Sequence, residues 1–170
     1  DGGLHWTNRG TGSQKPAGSE VVRLLEMPGY AAPESGTVPW PGRNENPTEF
    51  DFGGYSLDEK GIPTFRYEVE GIQVTEISSF VKSGEDRSLV RKITFNAESE
   101  VPGNLQLALA AGPKIETLET GFRLDDVVTM TVENDGGLTA RERKVKKHLV
   151  VVPLTLKQGT TTLTVTYTWN

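Results

Sequence analysis

Cysteine is absent from this chain of 170 residues. That removes disulfides, thiolate nucleophiles, cysteine-ligated zinc and covalent haem attachment through C-x-x-C-H. Histidine occurs twice, at His5 and His148. A metal site built on both would need them to converge with a carboxylate, and the plainer reading is a surface or half-buried imidazole at each place. No apolar run is long enough to span a bilayer. No charged stretch followed by an apolar one opens the chain, so no signal peptide is visible. Lysine and arginine total 18 against 23 aspartates and glutamates, a net charge of −5. That balance disfavours non-specific nucleic-acid binding, which depends on cations at phosphates. No window shows a helical period with caps, although Leu118 to Leu124 has room for one helical turn.

Motifs with chemistry of their own are also lacking. There is no G-x-x-x-x-G-K-[ST] and no G-x-G-x-x-G between a strand and a helix, so Gly53-Gly54 and Gly136-Gly137 read as turn glycines. No G-x-S-x-G nucleophile elbow occurs. Asn134-Asp135 lacks the spacing of an EF-hand calcium loop. Glycosidase chemistry needs two carboxylates facing one sugar. Asp51, Asp125 and Asp126 are candidates, but nothing separates them from other strand-end and turn carboxylates. Arg141, Arg143, Lys144, Lys146 and Lys147 form a basic cluster, which on a strand reads as a charged edge that discourages strand addition.

What is present is strand after strand. Asp58-Glu-Lys-Gly61 is a turn, and from Thr64 the chain alternates, with Phe65, Tyr67 and Val69 on one face and Arg66, Glu68 and Glu70 on the other. Glu70-Gly71 reverses the chain into Ile72 and Val74, a β-hairpin signal. Ser88 to Phe95, Leu105 to Ala110 and Val127 to Val132 continue the pattern. Asn134-Asp-Gly-Gly137 is a turn that Leu138 to Val145 is expected to answer. His148 to Leu156 is a further strand. After it, Thr161 to Trp169 sets Leu163, Val165, Tyr167 and Trp169 against Thr162, Thr164, Thr166 and Thr168. These last two strands are expected to pair as a hairpin. The first third differs. Six of the ten prolines precede residue 51, and only Val21 to Leu25 is strongly apolar. One or two short strands joined by long surface loops are expected there.

The expected fold is therefore all-β: an antiparallel β-sandwich with a loop-rich N-terminal third, one domain over residues 1–170. The opening at Asp1 without methionine and the end on a strand pattern suggest a fragment of a longer chain. Trp6, Tyr30 and Trp40 lie in the loop-rich third. They are the candidates to stack on sugar rings, or else they pin the loops to a sheet. No catalytic residue and no metal ligand is assigned, and no cofactor is expected in this chain.

One segment carries a resemblance. It runs Phe52-Gly-Gly-Tyr55-Ser-Leu57-Asp58-Glu-Lys-Gly61-Ile-Pro63-Thr64-Phe65-Arg-Tyr67. It resembles a β-rich module of large secreted planctomycete-type proteins. Those proteins combine a c-type cytochrome domain with a quinoprotein sugar-dehydrogenase-like propeller. Trp6 with Arg9-Gly10, Pro39-Trp40-Pro41, Leu89 to Phe95 and Tyr167-Thr-Trp169 match weaker pieces of it. The resemblance implies a periplasmic or secreted protein in an electron-transfer or carbohydrate-oxidation setting. The implied partners are a neighbouring cytochrome or dehydrogenase domain, a partner protein or carbohydrate; the acidic charge and the lack of a long apolar run separately lead to the expectation of no nucleic acid and no membrane span. It brings no haem or quinone site to this chain. Tyr55, Pro63, Phe65 and Tyr67 also have a structural reading, with proline setting strand entry and aromatics filling the core. The expected role is a non-catalytic accessory or interaction module. The alternatives are a carbohydrate-binding module and, behind it, a carboxylate-dependent sugar hydrolase.

Overall fold

The computed structural model describes residues 21–82 and 86–169 in full, together with Ser83, Gly3–His5 and Lys15–Ala17 as strand backbone. No helix occurs among the described residues. The strands in chain order are β1 Gly3–His5, β2 Lys15–Ala17, β3 Tyr30–Ala31, β4 Phe50–Leu57, β5 Pro63–Val69, β6 Ile72–Ser83, β7 Asp86–Ala97, β8 Val101–Gly112, β9 Ile115–Leu118, β10 Gly121–Leu124, β11 Val128–Asn134, β12 Arg141–Val145, β13 Lys147–Leu156 and β14 Gly159–Trp169. Among the described residues, short β1 and β2 pair with each other in a separate two-stranded sheet. The rest form two packed antiparallel sheets. The large sheet has eight strands in the order β4-β5-β6-β7-β14-β11-β10-β9, and the small one has four in the order β12-β13-β8-β3. This is the β-sandwich that the alternating pattern predicts.

Alternation decides which face each strand of the large sheet turns inward. Tyr67 and Val69 of β5, Ile72 and Val74 of β6, Ile93 and Phe95 of β7, and Leu163, Val165 and Tyr167 of β14 are buried together. They meet Leu105, Leu107 and Leu109 of β8 and Val150, Val152 and Leu154 of β13 from the small sheet. The small sheet is covered on its other face too. Ala108, Leu149 and Val151 are buried there under Leu25, Met27 and Trp40. The loop-rich segment is thus laid over the outside of the small sheet, which explains why β8 and β13 read as nearly continuous apolar runs.

Three expectations are not met, one helical turn and two pairings. Leu118 to Leu124 is not a helical turn but the reversal of the β9–β10 hairpin, in which Leu118 faces Gly121. A Cβ on Gly121 would lie 2.2 Å from the Met130 carbonyl oxygen, so the β11 backbone approaches closely there. Leu138 to Val145 does not fold back on β11. The Asn134 side chain closes the turn, its Oδ1 accepting from the Leu138 N–H at 2.7 Å and its Nδ2 donating to the Leu138 carbonyl. Buried Leu138 then carries the chain across to β12 in the other sheet. β13 and β14 do not pair either. β14 already has β7 and β11 on its two edges, and β13 has β12 and β8, so the chain between them crosses from one layer to the other. Short strands do occur in the loop-rich third, as β3 shows, while its apolar stretch Val21 to Leu25 lies outside them. Its one ladder-like bond runs from the Ala111 N–H to the Leu24 carbonyl at 2.7 Å. The Glu70-Gly71 reversal forms as expected, with φ of 49° and 76°, the left-handed pair of a two-residue hairpin.

Candidate functional site

The large sheet has twice as many strands as the small one, so part of its inner face overhangs. β3 crosses above β5 through Tyr30, which meets Tyr67 edge-on with ring centroids 6.0 Å apart. Beyond that point β4 and the outer half of the β6–β7 hairpin have nothing above them among the described residues. Phe50, Phe52, Tyr55 and Leu57 of β4 and Phe80 of β6 are each more than half exposed. Register places all of them on the core-facing side. Phe50, Phe52, Tyr55 and Leu57 lie opposite Val69, Tyr67, Phe65 and Pro63, while Phe80 lies opposite Leu89. The bulge at Gly53-Gly54 makes this work, because it resets the alternation midway along β4. The result is an apolar shelf of aromatic side chains.

At the inner margin of the shelf runs a directed chain of polar groups. The Tyr30 hydroxyl lies 3.0 Å from that of Tyr67, which donates to Glu76 Oε2 at 2.9 Å. Tyr67 spends its proton on Glu76, so Tyr30 is the donor of the first bond. Arg91 Nε donates to Glu76 Oε1 at 2.8 Å, and its Nη1 donates to the Tyr167 hydroxyl at 3.3 Å. Tyr167 in turn donates to the Leu109 carbonyl at 2.8 Å. The chain starts on β3 and ends on β8, so it ties the sheets together at two points. Burial raises the Tyr30 phenol far above its ordinary range, and the bond to Tyr67 offsets only part of that. Burial also raises Tyr67, with Tyr30 and Glu76 adding to the effect. Tyr167 is raised by burial against the pull of Arg91. For Arg91, burial disfavours the charge, but Tyr167 and Glu76 outweigh it and hold the guanidinium protonated. These groups form a closed structural network rather than an acid–base pair poised to react.

Glu76 and Arg91 are not among the candidates read from the sequence. A signal was present. Glu76 follows Ile72 and Val74 in phase, and Arg91 precedes Ile93 and Phe95 in phase, so both are charges at inward positions of otherwise apolar faces.

Among the stacking candidates, Trp6 lies outside the described residues. Tyr30 is buried, with both its ring and its hydroxyl engaged inside the sandwich. It presents no face to a sugar, which corrects the stacking assignment. Trp40 is half-buried, packs on the outer face of the small sheet and donates its Nε1–H to the Pro28 carbonyl at 2.8 Å. It pins the loop. The motif residues share one face of the sheet, but Tyr55 is more than half exposed and Phe65 only half-buried, so of the three aromatics Tyr67 alone fills the core. Tyr55 and Phe65 lie 5.9 Å apart by ring centroid, Pro63 opens β5, and Tyr67 joins the polar chain.

The remaining candidates do not converge. Asp51 is exposed on the outer face of β4, while Asp125 and Asp126 sit in the β10–β11 turn, far across the strand order of the large sheet. No group of three or more metal-ligating side chains occurs among the described residues. The basic cluster lies on edge strand β12 and the tip after it, with Arg141 and Lys144 exposed. Arg143 is buried instead, on the outer face of the small sheet beside Leu149 and beneath the loop, where its Nη2 donates to the carbonyls of Ser35 and Val38. One open cavity of about 530 Å³ lies where the loops meet at one end, lined by Val22, Met27, Ala111, Asp125, Lys146 and His148 among others. Its charged groups largely satisfy one another. Glu26 takes Arg23 and Lys147, which hold its carboxyl below the usual range. His148 Nδ1 lies 2.6 Å from Glu142 Oε1. No protein family, curated protein or solved structure matches this chain.

Proposed function

We propose that this chain is a non-catalytic docking module of an exported, periplasmic or secreted, multidomain protein that oxidises carbohydrate or transfers electrons. The observation that carries the docking part is the apolar shelf. An exposed aromatic patch on the core side of a sheet is unfavourable in water unless something covers it. Aromatic residues at such a patch supply the contact area that interfaces favour. The redox and carbohydrate setting rests on the resemblance of the Phe52 to Tyr67 segment alone. A neighbouring c-type cytochrome or dehydrogenase domain, or a separate partner protein, is the expected occupant.

The test is hydrogen exchange on the isolated module and on the product of the full open reading frame. Amides of Phe50 to Leu57 and Ser78 to Val81 are expected to slow in the longer protein. Equal exchange in both would remove the docking reading. A carbohydrate-binding module has no specific geometric support, since two of its three aromatic candidates pack inward or onto the chain itself. A tryptophan fluorescence response to an oligosaccharide panel would nevertheless restore it.

A further inference from the structure

We infer that the edge of β4 left unpaired among the described residues pairs with the same edge of a second copy of this chain, joining two large sheets into one across a two-fold axis. The inference concerns the main-chain edge and needs no neighbouring domain, so it goes beyond the docking reading. It begins with a contrast between edges. Small-sheet edge β12 carries exposed Arg141, Glu142 and Lys144, and β9, the far edge of the large sheet, is only four residues long. Charge and shortness are the usual guards against strand addition. β4 is eight residues long, is exposed along almost its whole length and carries one charge, Asp51.

The sequence of β4 is self-complementary in one antiparallel register. With the axis between Gly53 and Gly54, bulge faces bulge. Phe52 then lies opposite the partner's Tyr55, and Phe50 opposite the partner's Leu57. All four share the core-facing side because the bulge reset the alternation. Cross-strand aromatic pairs of this kind stabilise sheets. A slip of one residue either way sets Phe52 opposite Gly54 or Ser56, which belong to the other side.

Charge selects the same register. Within one copy Asp51 lies opposite Glu68, a like charge. In the pair its other neighbour is the partner's Ser56. Arg66 Nη2 donates to Ser56 Oγ at 3.1 Å within a copy, so the partner's Arg66 arrives beside Asp51. The two-fold makes this exchange twice. The two shelves meet as one trough.

The absence of cysteine makes the test direct. Asp51→Cys and Ser56→Cys variants are prepared separately, mixed and oxidised. Opposed residues of an antiparallel pair have Cα atoms about 4.5–5.5 Å apart, within disulfide range. Like cysteines would lie five residues apart along the ladder, roughly 17 Å, beyond that range. The expected result is covalent dimer in the mixture, several-fold above either variant alone. Sedimentation of the unmodified chain from about 1 to about 200 μM is expected to show a monomer–dimer equilibrium typical of a small interface. Phe52→Lys is expected to abolish it with little change in melting temperature, because the side chain is exposed. A chain that stays monomeric throughout overturns the inference, including the case where β4 instead accepts an unrelated strand. Equal cross-linking in all three samples overturns the register.

Discussion

Replacing Arg91 by methionine removes the hub of the polar chain. The Arg91–Glu76 separation is 2.8 Å and each side chain keeps 16% of its exposure, so both charges are largely withdrawn from water. At an effective dielectric near 20, opposite charges about 4 Å apart attract by roughly 4 kcal/mol before desolvation is counted. Breaking a buried pair from one side typically costs about 3–5 kcal/mol, because the remaining charge is left unpaired. Residual solvent access places Arg91→Met near the bottom of that range, at about 3 kcal/mol. Glu76 would retain only the Tyr67 hydroxyl, and Tyr167 would lose one donor while keeping its bond to Leu109. Glu76→Leu is expected to cost a similar amount. The double variant leaves no unpaired charge and should lie within about 1.5 kcal/mol of the parent, so the coupling energy between the two residues exceeds the loss in the double variant. Guanidinium unfolding followed by tryptophan fluorescence measures all four species, and a loss of about 3 kcal/mol lowers the melting temperature by roughly 6–12 °C at this chain length. Additive losses, or a single-variant loss below about 1 kcal/mol, would show that the chain of bonds is ornamental to stability.

Stability is also expected to fall in alkali. The folded-state pKa values of Tyr30, Tyr67 and Tyr167 are raised, so their contribution is complete below the unfolded value near pH 10 and is lost as the pH rises above it. Each pH unit above 10 removes up to about 1.4 kcal/mol per tyrosine, and denaturant midpoints at pH 8, 10 and 11 that do not move would contradict the burial of these phenols. Gly121→Ala should destabilise by more than about 2 kcal/mol, since its Cβ meets the Met130 carbonyl. Gly137→Ala, with a φ of 71° and open space around it, should lose only about 1 kcal/mol by the same unfolding assay. Arg143→Met frees the carbonyls of Ser35 and Val38, and faster amide exchange confined to residues 34–40 is the expected signature, at a global cost of about 1–2 kcal/mol.

Faces were readable in the sequence, and so was the β5–β6 pairing across the Glu70-Gly71 turn; the other expected pairings did not form. The inward sets of β5 and β14 follow directly from alternation, because side-chain direction along a strand has a period of two. Beyond a two-residue turn such as Glu70-Gly71, pairing is not encoded locally. The chain after Asn134 and the chain after Leu156 both carry good turn residues, Asp135 to Gly137 and Gln158-Gly159, yet each crosses between layers instead of closing a hairpin. The deciding facts lie far away, in the strands that already occupy the edges of β11 and β14. The polar chain was hidden for the same reason. Its five side chains come from five strands and meet only once both sheets are assembled, although the phase of Glu76 and Arg91 marked them as inward charges. The Trp40 ambiguity between stacking and packing needed the position of Pro28 and of the small sheet's outer face, which no local pattern supplies.

The aromatic shelf is a choice that the same chain declines to make elsewhere. The outer face of β14 is also a sheet face without a covering layer among the described residues, and there the chain places Thr162, Thr164, Thr166 and Thr168, side chains that favour strands and tolerate water. On β4 the core-facing positions are equally uncovered, yet they hold Phe50, Phe52, Tyr55 and Leu57. Threonine would have served the strand there as well. Fully burying side chains of this size contributes about 1.5–3 kcal/mol each relative to leaving them exposed, and the isolated module gains only a fraction of that. A surface able to recover that energy favours a covered state. It would also draw further water from the Glu76–Arg91 pair at the inner margin, so the coupling between those two charges should grow when β4 is occupied. Repeating the double-mutant cycle in the isolated module and in the product of the full open reading frame tests that link, and an equal coupling energy in both would detach the polar chain from the shelf.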